Sequence, residues 1–316
     1  MTDGPHRSTT PDGPTRSRAA ATEQGARRDR SRPPAPEPLP HPVVDNHCHL
    51  DIADGPGGDD WLGVEAALAA SSAVGVPRIV QIGCDLPGAR WAVAAAERYD
   101  ALVAGVALHP NEAPLLAAAG RLDEALDEIE RLAAAHADVR AVGETGLDFF
   151  RTGPEGLDVQ RESFARHVDI AKRLDKTLVI HDRDAHAAVL DVLDAVGAPD
   201  RWVMHCFSGD AAFARACLDR GAHLSFAGTV TFKNAADLRE ALVVAPADRV
   251  LVETDAPYLT PTPYRGRPNA SYLVPVTVRA MAQARGDDLG ELCAAIERNT
   301  FAAFGGPWGE GTRAGA

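Results

Sequence analysis

The chain has 316 residues, 45% hydrophobic and 24% charged, with a formal net charge of −13, a composition that fits one large or two modest globular domains. It contains no run of eighteen apolar residues, which argues against a membrane-spanning helix. Five scattered cysteines (Cys48, Cys84, Cys206, Cys217, Cys293) with no C-x-x-C pair argue against a disulfide framework and for a reducing, cytoplasmic location.

Residues 1–42 are rich in Pro, Gly, Ser, Thr and Arg and nearly lack large apolar side chains. Such a segment buries too little surface to offset its ordering entropy, so a disordered tail is expected there. Arg27 and Arg28 are followed by Asp29, Arg30 and prolines rather than an apolar stretch, which argues against an export signal. The tail holds seven arginines against five acids, so the body is more acidic than the whole chain. A body this acidic lacks the footprint of a general polyanion binder. A nucleic-acid substrate would therefore need a local source of positive charge, and bound metal ions would supply it.

The body alternates short β-branched runs with Ala- and Leu-rich stretches of helical spacing. Strands are predicted at 42–47, 78–83, 102–108, 139–143, 177–181, 201–205, 222–226 and 249–254. Helices are predicted at 64–74, 88–99, 122–135, 160–174, 185–196, 210–220, 236–243, 274–285 and 289–301. Eight such units over residues 43–307 point to a single-domain α/β fold of the (β/α)8 TIM-barrel type, followed by a flexible tail at 308–316. An open doubly wound sheet is the alternative, but no G-x-G-x-x-G follows the first strand.

A barrel of this kind carries its chemistry at the C-terminal ends of its strands. His47 and His49 end the first strand, and residues two apart in a strand share a face, so both can enter the mouth while Cys48 packs away from it. His109 follows strand three, Glu144 strand four, His181 strand five, His205 strand six and Asp255 strand eight. Any one of these histidines alone would by default be structural. Seven convergent ionisable groups are costly to bury unless something compensates them, and a metal does so. Four imidazoles and two carboxylates exceed the needs of one tetrahedral zinc and suit two divalent ions with a bridging carboxylate. Mixed N/O ligation suits Zn, Mn, Fe or Co, with Mg less comfortable beside imidazole.

Taken in order, the motifs Asp45-x-His47-x-His49-Leu50, Gly105-x-x-x-His109-Pro110, Gly143-Glu144-x-Gly146-Leu147-Asp148 and His181-x-Arg183 are joined by His205-Cys206-Phe207-Ser208-Gly209 and Phe226-x-Gly228-x-x-Thr231-Phe232-Lys233-Asn234. Glu253-Thr254-Asp255-Ala256-Pro257-Tyr258-Leu259 and Arg265-Gly266-x-x-Asn269 complete the set. The whole resembles the TatD family of metal-dependent deoxyribonucleases, over about residues 43 to 305. The resemblance implies that His47, His49 and Asp255 hold one ion and His181 and His205 the other, with Glu144 between. It also implies a monomer and a DNA substrate, single-stranded or at 3′ ends, cut in 3′–5′ exonuclease fashion. Three positions depart from the family's habit: Asn46 where Ser or Thr is usual, Thr145 where an apolar residue is, and His167 where Gln is common.

On this reading Asp255 accepts a proton from the attacking water, Glu144 bridges, and His109 is a candidate for protonating the leaving oxygen. Arg183, Lys233 and Arg265 are candidates for holding phosphate oxygens; the bland alternative for each is a solvated surface charge. Glu253, two residues before Asp255, is read as fixing the tautomer of a ligating histidine. Asp148 is expected to brace its loop, and His136, His167, His186 and His223 to be structural. Ser208 lacks a G-x-S-x-G elbow. Two rival functions are an amidohydrolase-type C–N or C–O hydrolase and a non-catalytic scaffold. The first commonly bridges its metals with a modified Lys after strand four, where this chain has Glu144; the second would have lost ligands.

Overall fold

The strands of the computed structural model, which describes residues 11–18, 29–54 and 60–309, run in chain order as follows. They are β1 (Arg16–Arg18), β2 (Val44–Cys48), β3 (Ile52–Asp54), β4 (Arg78–Gly83), β5 (Leu102–Val106), β6 (Val139–Asp148), β7 (Thr177–Arg183), β8 (Trp202–Met204), β9 (His223–Phe226) and β10 (Val250–Val252). All but β1 and β3 form one eight-stranded parallel sheet in sequence order, β2 at one end and β10 at the other. Helices cover its outside, and the layout is the expected TIM-type barrel. Several helices begin at an aspartate that supplies the missing acceptor of the first turn. Asp85 accepts from Gly88 N at 2.7 Å and Asp210 from Phe213 N at 2.8 Å.

Strand alternation sorts the side chains into an inner and an outer set. Val80, Val103, Ala141, Val179, Val203 and Leu251 form one cluster inside the barrel, closed at the bottom by Phe304 and Trp308. Val106, Val142, Ile180, Met204, Leu224 and Val252 pack outward with the helices. Two residues further along the inner face come Cys84 after Ile82, His181 after Val179, His205 after Val203 and Glu253 after Leu251. The apolar layer thus gives way to an ionisable layer at the C-terminal ends, because period-two alternation keeps both on one face. Trp308 is buried and its carbonyl accepts from Arg78 Nε at 2.6 Å, so the body runs one residue beyond the predicted boundary at 307.

The seam between β10 and β2 is sealed partly by side chains. Asp255 N donates to His47 O at 3.0 Å and His49 N to Ala256 O at 2.8 Å. Deeper in, Asn46 Nδ2 donates to Val252 O at 2.6 Å and to Ser225 Oγ at 2.7 Å. Asp45 accepts from Thr254 N at 2.9 Å and from its hydroxyl at 2.5 Å. An amide reaches across this gap with two donors, which gives Asn46 a structural role that a shorter hydroxyl side chain would fill differently.

Two expectations are revised. Strand four was predicted to end at residue 143, before Glu144; β6 instead continues to Asp148, pairing with β7 after a register shift between Val142 and Thr145. Glu144 therefore sits inside a strand at an irregularity, which turns it onto the inner face. The disordered tail predicted over 1–42 is not what residues 11–18 and 29–42 do; the remainder of that range lies outside the described residues. β1 pairs in parallel with β3, Leu39 is buried in the outer core, and Tyr272 donates its hydroxyl to Pro33 O at 2.7 Å. Backbone pairing and side chains supplied by the body replace the apolar content that the segment itself lacks.

Candidate metal centre

Glu144 stands at the centre of the mouth. Its Oε1 lies 2.6 Å from His181 Nδ1, 3.3 Å from His205 Nε2 and 3.6 Å from His109 Nε2. Its Oε2 lies 3.5 Å from His47 Nε2 and 3.9 Å from His49 Nε2. Asp255 Oδ1 closes the opposite side, 3.2 Å from His49 Nε2 and 3.9 Å from His47 Nε2. One carboxylate oxygen thus faces the His181–His205 side and the other faces His47 and His49.

The backbone is bent to make this possible. Gly146 has φ +138°, and a Cβ there would lie 2.1 Å from the carbonyl oxygen of His181. Only glycine lets β6 approach β7 this closely, which is what brings Glu144 against His181. Asp255 holds a left-handed φ of 52°, rare for a residue with a side chain and costing on the order of 1 kcal/mol. The hydrogen bonds from Asp255 N to His47 O and from Tyr258 N to Asp255 O impose it.

Each imidazole is set by what its other nitrogen meets. His49 Nδ1 lies 3.0 Å from Ile82 O, so it carries the proton and Nε2 is left as the free lone pair toward Asp255. His205 Nδ1 lies 2.9 Å from Glu253 Oε1, and Ser225 Oγ donates to the other Glu253 oxygen at 2.5 Å. Glu253 stands behind His205, as a carboxylate behind a ligating histidine does. His181 is held between Glu144 and Asp148, whose Oδ2 lies 3.6 Å from its Nε2. Asp148 also accepts from Phe150 N at 3.1 Å and Arg151 N at 2.9 Å, bracing the loop after β6. His109 is the exception. Its Nδ1 accepts from Asn111 N at 3.1 Å, so its proton sits on Nε2 and points toward Glu144. With Nδ1 engaged by a backbone N–H, the nitrogen that His109 turns toward the cluster is the one that carries its proton.

Burial alone would push the Glu144 carboxyl up, but His205 and His109 beside it hold it well below the usual carboxylate range. Burial opposes protonation of His181 too, yet Asp148 and Glu144 push it up to about 9. His47 goes the other way, lowered by burial and then by His205, whose ring stacks on it with centroids 3.5 Å apart. His47 is completely buried, and among the described residues neither of its ring nitrogens has a hydrogen-bond partner. A neutral imidazole with two orphaned nitrogens, packed among carboxylates, fits a divalent cation as its missing partner. His47, His49 and Asp255 offer ligand atoms within 4.8 Å of one another, and so do His109, Glu144 and His181.

The three basic candidates lie around the rim and not among the ligands. Arg183 ends β7 with its guanidinium 3.8 Å from the ring centroid of Phe150, an aromatic side chain 58% exposed. Arg265 lies over Phe232 at 4.0 Å, and Lys233 is exposed on the same loop as Phe232. Two residues went unassigned in the sequence. Cys84 donates its thiol to Glu144 Oε2 at 3.3 Å; it directly follows predicted strand two, so the strand-end rule could have found it. Phe150 carried no comparable signal beyond being an aromatic beside a strand end.

A profile described as TatD-related DNase matches residues 44–305. The metal-dependent hydrolase TatD of Mycobacterium tuberculosis is 46% identical over 272 residues, spanning 84% of this chain and 99% of that protein. The metal-dependent hydrolase YcfH of Escherichia coli K12 is 38% identical over 265 residues, 82% of this chain and 94% of its own length. Among solved structures, the TatD homolog YJJV of Escherichia coli K12 superposes with a TM-score of 0.75 at 28% identity, covering 84% of this chain and 98% of that one.

Proposed function

The chain belongs to the TatD-related DNase family of metal-dependent hydrolases, and from that premise we propose that it hydrolyses phosphodiester bonds of DNA at single-stranded or 3′ ends. The observation that carries the reading is the position of Glu144, one carboxylate with an oxygen toward each of two imidazole groups. His47, His49 and Asp255 would hold one ion, His181 and His205 the other, with Glu144 shared. Divalent ions bound there lower the pKa of water and stabilise the oxygens of a displacement at phosphorus.

The chain's own groups do the rest. Asp255, at the open side of the cluster, orients the attacking water and accepts its proton. His109, with its proton on Nε2, donates to the leaving oxygen. Glu253 keeps the His205 Nε2 lone pair directed inward. Cys84 and His181 each take one oxygen of Glu144 and fix its orientation. Arg183, Arg265 and Lys233 take phosphate oxygens at the rim, supplying cations where the body as a whole is acidic. Phe150 and Phe232, each backed by an arginine, offer flat faces for unpaired bases. Aromatic platforms beside basic groups suit a single strand, whose bases are free to stack.

The test is cleavage of end-labelled single- and double-stranded DNA across Mg, Mn and Zn, with His205→Ala as control. Metal-dependent shortening of the single strand, lost in the variant, is expected. Hydrolysis of simple amides or lactones with no cleavage of any nucleic acid would move the chain to the amidohydrolase reading.

A further inference from the structure

Residues 12–18, ahead of the barrel, run along the helix Leu86–Arg98 and reach the rim of the mouth on the side of His49 and Asp255. Trp91 donates its indole N–H to Gly13 O at 2.9 Å, and Arg98 pairs with Asp12 at 2.6 Å. Thr15 donates its backbone N–H to Asp51 O at 2.8 Å and its hydroxyl to Asp51 Oδ2 at 2.6 Å. The other Asp51 oxygen accepts from Gln81 at 2.9 Å, and Gln81 in turn accepts from the backbone of Leu50, next to His49, at 2.7 Å. β1 then adds to β3, and Arg18 staples its far end to the carbonyl of Pro257, with its guanidinium 4.9 Å from the centroid of Tyr258. The contacts of Thr15 and Arg18 reach the loops after β2 and β10, at the C-terminal face of the barrel.

This segment is additional to the shared body. The family match begins at residue 44, and the M. tuberculosis relative uses 99% of its own length to cover 84% of this chain. What the segment brings is positive charge. Arg16 lies 3.6 Å from Asp85 Oδ2 with its side chain 35% exposed. That separation is longer than a charge-assisted hydrogen bond, so its planar fork keeps donors for a second anion. Asp85 directly follows Cys84 in the chain, and Arg18, two residues along β1, lies over Tyr258. Cys84 touches Glu144, and the Tyr258 ring lies 6.2 Å from that of His49. β1 therefore flanks the ligand cluster, with Arg16 beside the loop after β4, on the flank away from Arg183.

We infer that the N-terminal segment is a built-in wall of the substrate groove and that Arg16 is a positioning residue that grips a phosphate of the bound strand beyond the scissile one. The inference rests on the nuclease reading. A small diester that fills only the ligand cluster does not reach Arg16; a strand of several nucleotides does. Arg18 and Thr15 hold the wall in place, and Arg16 makes the contact.

The experiment compares the full chain with its Arg16→Ala and Arg16→Lys variants on a short single-stranded oligonucleotide and on bis(p-nitrophenyl) phosphate. Arg16→Ala is expected to raise KM for the oligonucleotide about tenfold with kcat little changed, the loss of one charge-assisted contact. The salt dependence of its apparent affinity should fall by about 0.7 in log–log slope, one phosphate fewer on a single strand. Arg16→Lys should recover most of the affinity, and the small diester should be cleaved alike by all three. Equal KM and equal salt slope in wild type and Arg16→Ala, with the oligonucleotide cleaved by both, would overturn this inference alone. A parallel loss on the small diester would overturn it in favour of a purely structural role for the segment. A wild-type chain that cleaves the diester but no oligonucleotide would sink the nuclease reading and this inference with it.

Discussion

His167 offers a quantitative test of how the fold braces the site. It is wholly buried on the helix Leu157–Arg173, where its Nδ1 faces Ser163 O at 2.7 Å and its Nε2 accepts from Leu108 N at 3.1 Å. Nδ1 is thus the donor and Nε2 the acceptor. A second proton on Nε2 would face the Leu108 N–H, donor against donor. Burial, with the nearby Arg166 charge adding to it, lowers its pKa from 6.5 to about 4. The folded state therefore disfavours the proton that the unfolded chain accepts. The sign follows: His167 costs no stability above about pH 7, and stability is lost as pH falls from 6.5 toward 4. At about 1.4 kcal/mol per unit, the limiting loss is about 3 kcal/mol, of which about 2 kcal/mol is already gone at pH 5. His167→Gln keeps one acceptor for Leu108 N and one donor for Ser163 O but has nothing to protonate. Urea unfolding of both proteins at pH 7 and pH 5 reads the difference. The variant should gain about 2 kcal/mol on wild type over that interval. Stability curves that run parallel between the two pH values would refute the tautomer and the burial argument together.

Three further outcomes follow from the site. Gly146→Ala, whose Cβ would meet His181 O at 2.1 Å at a φ closed to other residues, should destabilise the fold by about 3 kcal/mol or more, read by thermal unfolding. Glu253→Gln removes the carboxylate behind His205 and should weaken metal binding by roughly 10- to 100-fold in a chelator competition, with the fold retained. Phe150→Ala should raise KM for a single-stranded oligonucleotide by roughly fivefold or more and leave a small diester unaffected, because only the oligonucleotide has a base to stack. An unchanged KM would remove Phe150 from the substrate groove.

Much of the fold was legible because the barrel repeats one unit, and period-two strands between 3.6-period helices leave a strong pattern. The strand-end rule then placed His47, His49, His109, His181, His205 and Asp255 near one another without any coordinates. Three things did not follow from pattern. Glu144 reads as following its strand, but the register shift in β6 is set by pairing with β7, a strand distant in sequence. The proton position on His109 depends on Asn111 N, a local turn geometry that no spacing encodes. The segment at 11–18 looks disordered by composition because its stability comes from acceptors on the body, Asp51 above all, and not from its own apolar content. Asn46 reads as an oddity in the sequence and as a seam across the barrel in three dimensions.

The proposed function requires Glu144 to join two ions in one hydrolytic centre. The direct measurement is the number of divalent ions bound per chain on titrating chelator-stripped protein, with oligonucleotide cleavage read on the same samples, for wild type and Glu144→Ala. Two ions per wild-type chain are expected, with activity that rises with their occupancy and a variant that loses both the paired binding and the cleavage. Full cleavage by the stripped wild-type protein, or two ions bound equally well by Glu144→Ala, would contradict that requirement.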